Sequence, residues 1–422
     1  MRKLITFYMV LLAILLSTTI RSHAEDEPIT ATYYEYFDTV ITISFFDVDA
    51  VPTNHWTQIE GMLAHIQNTF SRHEETSELY KLNQTAGIKP FKASDDLYFL
   101  VKKAYEYAEL TNGKFEPTIG PLIDLWGDIG EIDRAPNQKE IDEIKPLIDY
   151  KLIEFNDANQ TIYLPKKGMQ IDLGAISKGY AADKLAELIR NLGYEHAIIN
   201  PGGNIITVGP RHKVNSFGTT DWLIGLKNPK YSLFIEGEQK IYGNVFVTNK
   251  TIVSSGTYER YWYDLTAGKK YHHILDPHTG YSVDNNIEMV SIITESSTDA
   301  DALSTSVLAL GIEEGLKVIE QLDGVEALFL TYDKFVYPSS GIGSKVVFDL
   351  TNKTFSYHED VENPPINPTK PEKPSNPTNP TDPNTNPSKD SNNDIGKNIM
   401  IATVAVVLLA GTGLIIRKTI VK

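Results

Sequence analysis

Two oxygen-bearing side chains, Asp301 and Thr305, stand four residues apart in the segment ADALSTSVLALG. At helical spacing they share one face near the start of a helix predicted at residues 299–310. A carboxylate and a hydroxyl placed in this way suit Mg²⁺, which prefers hard oxygen ligands and keeps waters or phosphates in its remaining positions. The alternative is a capping box, in which Thr298 is the N-cap and Asp301 binds backbone amides. The spacing by itself leaves both interpretations open.

A histidine with proton-transfer potential, His273, lies in the segment HHILDPHTG, three residues before Asp276. Histidine is the side chain whose pKa is best suited to accepting a proton near neutral pH. A histidine among tyrosines is also a common packing residue, and Asp276-Pro277 is ordinary turn chemistry. The sequence therefore indicates a candidate general base without excluding a structural role.

The stretch from 170 to 209 has the features of an anion-binding site. A short β-type run at 169–173 leads into a turn at Gly174, and Lys178 and Gly179 open a helix. The apolar residues of this helix recur at helical spacing, and a glycine is placed to end it: Ala181, Leu185, Leu188, Ile189, Leu192 and Gly193. Free N–H groups and the helix dipole favour negative charge at such a start, so a phosphate-bearing ligand is the first hypothesis.

Two better-known phosphate and nucleophile motifs are not present in these segments. The spacing around Lys178 is not the GxxxxGK[ST] of a P-loop, so ATP chemistry of that type is not supported. Ser254-Ser255-Gly256 is not the strand-elbow pattern of a hydrolase nucleophile.

The elements that would position these residues alternate between hairpins and amphipathic helices. Strand patterns and helical patterns follow one another along the chain, with a glycine- and proline-containing loop at 114–127 whose Trp126 is predicted to be exposed. The main predicted elements are a strand pair or one long strand at 30–47, helices at 55–70 and 95–110, a hairpin at 152–164, and strands at 289–294, 327–332 and 346–349. Hairpins beside segregated helices predict an α+β (mixed α/β) fold.

Composition restricts the partners of the protein. The chain has 422 residues, a net charge of −16 and no cysteine, so it contains no disulfide and no cysteine for a lipid anchor. An acidic surface is not attracted to nucleic acid, and we therefore expect no nucleic-acid partner. An anionic ligand would need a metal ion or a local cation to offset the repulsion.

The two ends of the chain predict export and anchoring. Basic residues followed by an apolar run and Ser22-His23-Ala24 predict a signal peptide at 1–24. The uncharged apolar run at 399–416, followed by Arg417 and Lys418, predicts a transmembrane helix at 398–417 and a cytoplasmic basic tail at 418–422. The intervening residues 359–397 are rich in Pro, Asn and Thr and predict a disordered linker. Residues 25–358 would then form a globular head that the linker holds away from the outer face of the membrane.

Taken together and in order, the motifs resemble the ApbE family, the FAD:protein FMN transferases. The resemblance covers nearly all of residues 31–350 and is carried by five segments: IDLGAISKGYAAD (171–183), NPGGNI (200–205), SSGTYERY (254–261), HHILDPHTG (272–280) and ADALSTSVLALG (300–311). The resemblance implies a single head of mostly antiparallel sheets with flanking helices. It also implies a Mg²⁺-dependent reaction in which FAD is the substrate, FMN passes to a Ser or Thr hydroxyl of an acceptor flavoprotein, and AMP leaves.

The resemblance also implies roles for individual residues. It assigns metal contacts to the side chains of Asp301 and Thr305 and to the backbone carbonyl of Ala175, and it favours His273 as the base, with Asp172 or a metal-bound water as alternatives. The flavin-nucleotide contacts that it implies are Phe37, His73, Lys114, Phe115, Glu116, Asp172, Lys178 and Ile274.

Three positions depart from the usual family pattern. Phe37-Asp38-Thr39 stands where Met-Gly-Thr is common, His73 where a tyrosine stacks on adenine, and Glu116 where aspartate is usual. Two other functions share most of the features: an FAD pyrophosphatase that uses water as the nucleophile, and a surface flavin-binding protein without activity. The Asp301/Thr305 pair counts against the second, because a carrier needs no Lewis acid on the pyrophosphate. The anchored head and its spacer indicate a single-membrane, Gram-positive type of bacterium.

Overall fold

The computed structural model describes residues 27–127, 134–232, 237–265, 268–361, 365 and 367–369. These residues nearly coincide with the head predicted at 25–358. The predicted signal peptide, transmembrane helix and basic tail, and most of the predicted linker, lie outside the described residues. Among the residues that are described, no helix has the length and apolar character needed to cross a bilayer.

Strands supply the framework of the head. In chain order they are β1 (Ile29–Tyr33), β2 (Ile41–Phe45), β3 (Phe91–Lys92), β4 (Glu154–Asn156), β5 (Thr161–Tyr163), β6 (Ala197–Pro201), β7 (Asn204–Val208), β8 (Trp222–Lys227), β9 (Ile241–Val247), β10 (Thr251–Gly256), β11 (Tyr261–Asp264), β12 (Lys269–His272), β13 (Ile287–Thr294), β14 (Glu326–Thr331), β15 (Phe335–Pro338), β16 (Val347–Asp349) and β17 (Ser356–Tyr357).

The α-helices flank these strands. They are α1 (Thr53–Phe70), α2 (Glu78–Gln84), α3 (Asp95–Leu110), α4 (Gly120–Trp126), α5 (Gln138–Ile144), α6 (Ser177–Asn191), α7 (Ser297–Leu310) and α8 (Ile312–Ile319). The 30–47 pattern forms a strand pair, since β1 and β2 are separate antiparallel strands.

The main sheet has the order β1-β2-β6-β7-β10-β13-β14-β15-β17. All of its neighbouring pairs are antiparallel except β15 and β17. A three-stranded sheet (β16-β9-β8), another (β3-β5-β4) and the β11–β12 hairpin complete the strands. The predicted mixed α/β fold with mostly antiparallel sheets is confirmed.

Helices cover one face of the main sheet, and the β16-β9-β8 sheet covers the other. Strand β13 has eight buried residues in sequence because both of its faces are covered. Val290 and Ile292 point into the core shared with α7, whereas Met289 and Ile293 pack against the small sheet. This sandwich holds α7 rigidly, because apolar burial of about 25 cal/mol per Å² acts along almost the whole helix.

The predicted β-type run at 169–173 is not a strand. Within the described residues it makes only a single bridge, from Gln170 to Ile119. Its backbone groups are instead satisfied locally, because Asn83 hydrogen-bonds both the amide (2.8 Å) and the carbonyl (2.9 Å) of Ile171. The amide of Asp172 donates to the carbonyl of Pro117 at 2.8 Å. An apolar run buried in this way cannot be distinguished from a strand by its pattern alone.

The prediction that Trp126 is exposed is wrong. Its ring is buried, with 2% of its surface exposed, and packs against Tyr271. The indole N–H donates to the carbonyl of Gly280 at 2.8 Å. The 114–127 loop is therefore fastened to the DPHTG turn, which brings two distant sequence motifs together.

Candidate active site

The Gly174 turn and the first turn of α6 form one side of the site. The Asp172 side chain turns back on the chain, and its Oδ1 accepts a hydrogen bond of 2.8 Å from the amide of Gly174. Lys178 folds over the same turn and donates from Nζ to the carbonyl of Gly174 at 2.9 Å. The turn is thereby closed by one carboxylate and one ammonium group, and Lys178 remains partly exposed.

Helix α7 forms the facing side and begins earlier than the capping-box interpretation requires. Ser296 is its N-cap, and the Ser296 hydroxyl accepts a hydrogen bond of 3.1 Å from the amide of Asp299. Thr298 therefore lies inside the helix, and Asp301 does not cap its own helix. The capping-box alternative is wrong, because a different serine takes the N-cap position and the carboxylate of Asp301 is directed to another helix.

Asp301 connects the two helices. Its Oδ2 accepts a hydrogen bond of 2.9 Å from the amide of Gly179 in the first turn of α6. The carboxylate is almost completely buried, and its other oxygen, Oδ1, lies 3.7 Å from Nζ of Lys178. The anion held by this helix start is therefore Asp301 itself, which changes the simple expectation of a phosphate there.

The donor set fits the preferences of Mg²⁺. The amide of Gly179 belongs to the first turn of α6, whose N–H groups have no partner within the helix, and it donates to Asp301. The carbonyl of Ala175, Oδ1 of Asp301 and the hydroxyl of Thr305 are all hard oxygens. Within the described part of the chain no cluster of three or more His, Cys, Asp or Glu side chains is present.

Two serines near Thr305 were not singled out from the sequence. The hydroxyl of Ser255 on β10 lies 3.2 Å from the Thr305 hydroxyl and 2.8 Å from that of Ser304. These contacts orient the threonine from the adjacent strand. The motif SSGTYERY contained Ser255, but only tertiary packing brings β10 against α7.

His273 follows β12 at the exposed edge of the site. Its Nδ1 lies 3.3 Å from the carbonyl of Arg260. Partial desolvation by surrounding atoms lowers the pKa of His273, and the charges of His272, Arg260 and Lys178 act in the same direction. Because Lys178 contributes to this shift, the histidine and the α6 start share one electrostatic environment. The neutral imidazole is therefore the dominant form at pH 7.

Glu259 shares this environment and was also not singled out. Partial desolvation raises its pKa, while Lys227, Lys178 and Arg260 oppose the shift. The charge of Lys178 thus lowers the pKa of both Glu259 and His273.

The predicted flavin contacts at 114–116 have different environments. The Nζ of Lys114 forms an ion pair of 2.8 Å with Asp276 of the DPHTG turn. Phe115 is buried and packs near Tyr107. Glu116 is held inside the loop, where it accepts from the amide and hydroxyl of Thr118 at 2.8 and 2.6 Å. Burial raises the pKa of Glu116, and the hydrogen bonds of Thr118 oppose that shift. This loop is positioned by polar contacts within itself and with the DPHTG turn.

Arg72 is a buried cation that the sequence reasoning missed. Its Nε donates to Oδ2 of Asp172 at 2.9 Å, and its Nη1 donates to Oδ1 of Asp124 at 2.5 Å and to Oε1 of Gln170 at 3.1 Å. The guanidinium fork thus fixes the side chain of Asp172, which also binds the Gly174 amide. In the sequence it stands two residues after the predicted end of α1 at Phe70, and no local pattern marks it.

The remaining predicted contacts lie around α1 and the core. Phe37 has a left-handed backbone (φ 57°), as has Asp38 (φ 50°), which explains why glycine is usual at the second position. The amide of Phe37 donates to Oε1 of Gln67 at 3.0 Å, and Nε2 of Gln67 donates to Glu74 at 2.5 Å. Gln67 therefore joins the Phe37 turn to the turn that carries the exposed His73.

The glycine turn after β6 reaches the same region. A side chain on Gly202 would place Cβ 2.3 Å from the hydroxyl oxygen of Thr39, so only glycine fits.

Ile274, the last of the predicted flavin contacts, is a core residue with its side chain buried. The structure thus brings Asp172, Ala175, Lys178, Asp301 and Thr305 to one place, with His273 beside them, and puts Phe37 and His73 at a neighbouring edge.

Comparison with known proteins gives consistent matches. A family model described as the ApbE family matches residues 37–329. The FAD:protein FMN transferase of Treponema pallidum (strain Nichols) is 35% identical over 299 residues, which are 68% of this chain and 80% of that protein. The protein of the same name from Klebsiella pneumoniae (strain 342) is 31% identical over 288 residues, 67% of this chain and 85% of that one. The crystal structure of the ApbE protein from Thermotoga maritima MSB8 superposes with a TM-score of 0.64 at 30% identity, covering 74% of this chain and 97% of that chain.

Proposed function

The chain belongs to the ApbE family, and we propose that it is a Mg²⁺-dependent FAD:protein FMN transferase. In the proposed reaction FAD is cleaved at its pyrophosphate, and FMN is attached through a phosphoester bond to a Ser or Thr hydroxyl of an extracellular flavoprotein. AMP is the leaving group. The transferase class follows from family membership, whereas the metal, the acceptor and the released nucleotide belong to the proposal.

The observation that carries the proposal is the position of Asp301 between α6 and α7. One carboxylate oxygen is held by the amide of Gly179, and the other lies beside Lys178. A hard-oxygen set next to a partly exposed cation suits a pyrophosphate, which needs its negative charge offset. This local cation is significant in a chain whose net charge is −16.

Three groups would hold the metal: Oδ1 of Asp301, the hydroxyl of Thr305 and the carbonyl of Ala175. When bound, Mg²⁺ would supply charge neutralisation on the pyrophosphate oxygens. Lys178 would contribute a second positive charge close to the same oxygens. Ser255 keeps the Thr305 hydroxyl oriented through its contact of 3.2 Å.

Proton transfer falls to His273 in this proposal. With Nδ1–H directed to the carbonyl of Arg260, Nε2 carries the lone pair and can accept a proton. The acceptor hydroxyl oxygen would attack the phosphorus atom of the FMN half, and its proton would pass to Nε2. The bond from that phosphorus to the bridging oxygen would break, and AMP would leave with the bridging oxygen.

The flavin nucleotide would lie between the α6 start and the edge formed by the Phe37 and His73 turns. Asp172, Lys178 and the 114–116 loop would contact it, Phe37 and His73 would complete its pocket, and Ile274, whose side chain is buried in the core, would contribute its backbone. The Lys114–Asp276 ion pair supports this arrangement, because it holds that loop next to the segment that bears His273.

The location of the enzyme is part of the proposal. We place the head outside the cell, with a single membrane anchor at 398–417, as the sequence features of the two chain ends indicate. Cell fractionation with protease treatment of intact cells checks it. The head should be degraded while a cytoplasmic marker survives.

The experiment that tests the function uses the full chain, FAD, Mg²⁺ and a candidate flavoprotein acceptor. We expect flavin fluorescence on the acceptor band after denaturing electrophoresis, together with one AMP for each FMN attached. Removal of Mg²⁺ with a chelator should abolish both signals. An acceptor with its Ser and Thr residues at the labelled site changed to Ala is the matched control.

Other outcomes would identify the alternatives. Release of free FMN and AMP without labelling of any acceptor would identify an FAD pyrophosphatase. Tight FAD binding with no turnover would identify a surface flavin-binding protein. Either result would overturn the transferase proposal.

A further inference from the structure

Helices α6 and α7 cap each other through one aspartate from each helix. The cap made by Asp301 belongs to the proposed metal site, whereas the cap made by Asp183 has no role in the proposed reaction. Asp301 of α7 binds the amide of Gly179 at the start of α6. In return, Asp183 of α6 binds the start of α7: its Oδ1 accepts from the amide of Ser297 at 2.8 Å, and its Oδ2 accepts from the amide of Thr298 at 2.8 Å. The Thr298 hydroxyl adds a bond of 2.6 Å to Oδ2. Each helix therefore supplies a carboxylate to the other.

The spacing within each helix makes this exchange possible. Gly179 and Asp183 are four residues apart on α6, and Ser297 and Asp301 are four residues apart on α7, so each pair occupies one helix face. The helices approach so closely that a Cβ on Gly179 would lie 2.1 Å from the carbonyl oxygen of Ser297. The position of α6 along α7, that is, the register of the two helices, is therefore fixed, because a side chain of each helix is hydrogen-bonded to the backbone of the other.

This register determines the relative position of the proposed metal ligands. The carbonyl of Ala175 immediately precedes α6, whereas Asp301 and Thr305 belong to α7. Mg²⁺ requires near-ideal octahedral geometry with ligand distances of about 2.0–2.1 Å. A small shift of one helix against the other would therefore move the proposed ligands out of that geometry. The cap made by Asp301 uses Oδ2 and leaves Oδ1 for the metal, and the cap made by Asp183 fixes the start of α7 from the other helix.

We propose that Asp183 is a positioning residue that sets the affinity of the site for Mg²⁺ by fixing α7 against α6. The inference rests on the proposed function, since it presumes that Asp301 and Thr305 bind the metal. Asp183 itself touches neither the metal nor the nucleotide. Residues that orient metal ligands from behind commonly change metal affinity by about 10- to 100-fold when they are replaced.

The test measures Mg²⁺ binding directly. Mg²⁺ is titrated calorimetrically into the full chain saturated with ADP, which carries a pyrophosphate but no FMN to transfer, and the heat of Mg²⁺ binding to the same concentration of ADP alone is subtracted. For Asp183→Asn we expect a dissociation constant for Mg²⁺ about 10- to 100-fold higher than that of the wild type. The affinity for FAD without Mg²⁺ should be unchanged, and Asp183→Glu, which restores the carboxylate, should recover part of the loss.

A matched control separates register from general helix stability. Asn137 caps α5, which carries none of the proposed metal ligands, and its side chain accepts from the amide of Glu140 at 3.1 Å. Asn137→Ala should leave the Mg²⁺ dissociation constant at the wild-type value. If Asp183→Asn does not fold, Thr298→Val removes only the hydroxyl bond to Asp183 and should weaken Mg²⁺ binding by about threefold, the smaller loss expected for one bond among several.

The outcomes distinguish this inference from the proposed function. No Mg²⁺ binding by the wild type with ADP would overturn the metal assignment itself. Wild-type binding, together with a folded Asp183 or Thr298 variant whose affinity lies within twofold of the wild type, would overturn the positioning role alone. A loss of affinity in Asn137→Ala equal to that in Asp183→Asn would also overturn it, because general stability would then explain the effect.

Discussion

The Oδ2 atom of Asp301 accepts a hydrogen bond of 2.9 Å from the amide of Gly179, so the first turn of α6 is joined to α7 at the candidate active site. A hydrogen bond to a charged acceptor is worth about 1.5–3 kcal/mol. This hydrogen bond leaves the other carboxylate oxygen, Oδ1, on the side of Lys178. One side chain thus contributes to both the fold and the proposed chemistry.

Replacement of Gly179 tests how closely the two helices approach. A Cβ there would lie 2.1 Å from the carbonyl oxygen of Ser297, so Gly179→Ala should lower the free energy of unfolding by about 3 kcal/mol or more through overpacking. Gly61, in α1, has nothing within 4 Å of its added Cβ, and Gly61→Ala should raise stability by about 1 kcal/mol. Urea unfolding of both variants measures the difference. Equal stability of the two would contradict the close helix contact.

Replacement of Asp301 by asparagine tests its charge at almost constant shape. We expect Asp301→Asn to lose FMN transfer by at least about 10²-fold, because the amide offers no negative charge to a metal. A neutral oxygen can still accept from Gly179, so the protein should remain folded. In-gel flavin fluorescence of a labelled acceptor measures the loss. Asp299→Asn, on the same helix but bound to Tyr107, serves as the control and should retain transfer.

The pH dependence of transfer tests His273 as the base. Desolvation lowers its pKa below the ordinary value of about 6.5, so the neutral, proton-accepting form persists on the acid side of that value. The acid limb of kcat/KM should therefore have its midpoint below pH 6.5. His273→Gln should lower kcat by about 10²- to 10⁴-fold and remove that limb. Retention of the same limb in His273→Gln would assign the titration to another group.

The stability of the protein should depend on pH through the buried His272. Burial lowers its pKa to about 4, and the Nε2 atom lies 2.9 Å from the carbonyl of Val283. Below pH 6.5 His272 is protonated in the unfolded chain but stays neutral in the native state. The free energy of unfolding therefore falls as the pH falls. Between pH 7 and pH 5 this contribution is about 2 kcal/mol. Urea unfolding of the wild type and of His272→Gln at both pH values measures it, and identical pH dependence would refute the assignment.

Removal of Arg72 tests the buried network behind Asp172. The Arg72 side chain is 6% exposed and pairs with Asp172, which is 18% exposed. Arg72→Met should cost about 2–3 kcal/mol, less than for a fully buried pair because Asp124 remains partly hydrated. It should also reduce transfer, since Asp172 loses its orienting partner. Lys102→Met removes a solvent-exposed ion pair with Asp157 and should leave stability unchanged within error.

The elements of the fold and the ligand types of the site were accessible from the sequence, because local pattern and residue chemistry determine them. Helical spacing predicted α6 and its end at Gly193, hairpin patterns predicted a mixed α/β fold, and the family resemblance implied mostly antiparallel sheets. The types of residue at Asp301, Thr305 and His273 indicated metal and proton chemistry before any geometry was known. Resemblance to the ApbE family joined them into one proposed site, and the family match confirms membership of that family.

Only the tertiary structure decided which neighbours these residues have. The carboxylate of Asp301 could cap its own helix or bind another helix. It binds the amide of Gly179 because α6 packs on α7. Arg72 and Asp183 were not found because each acts on residues about a hundred positions away, a distance at which no local pattern exists. Hydrogen-bond partners over such separations depend on the arrangement of buried elements. The sequence therefore determined which groups are proposed to carry the chemistry, and packing determined how they are held.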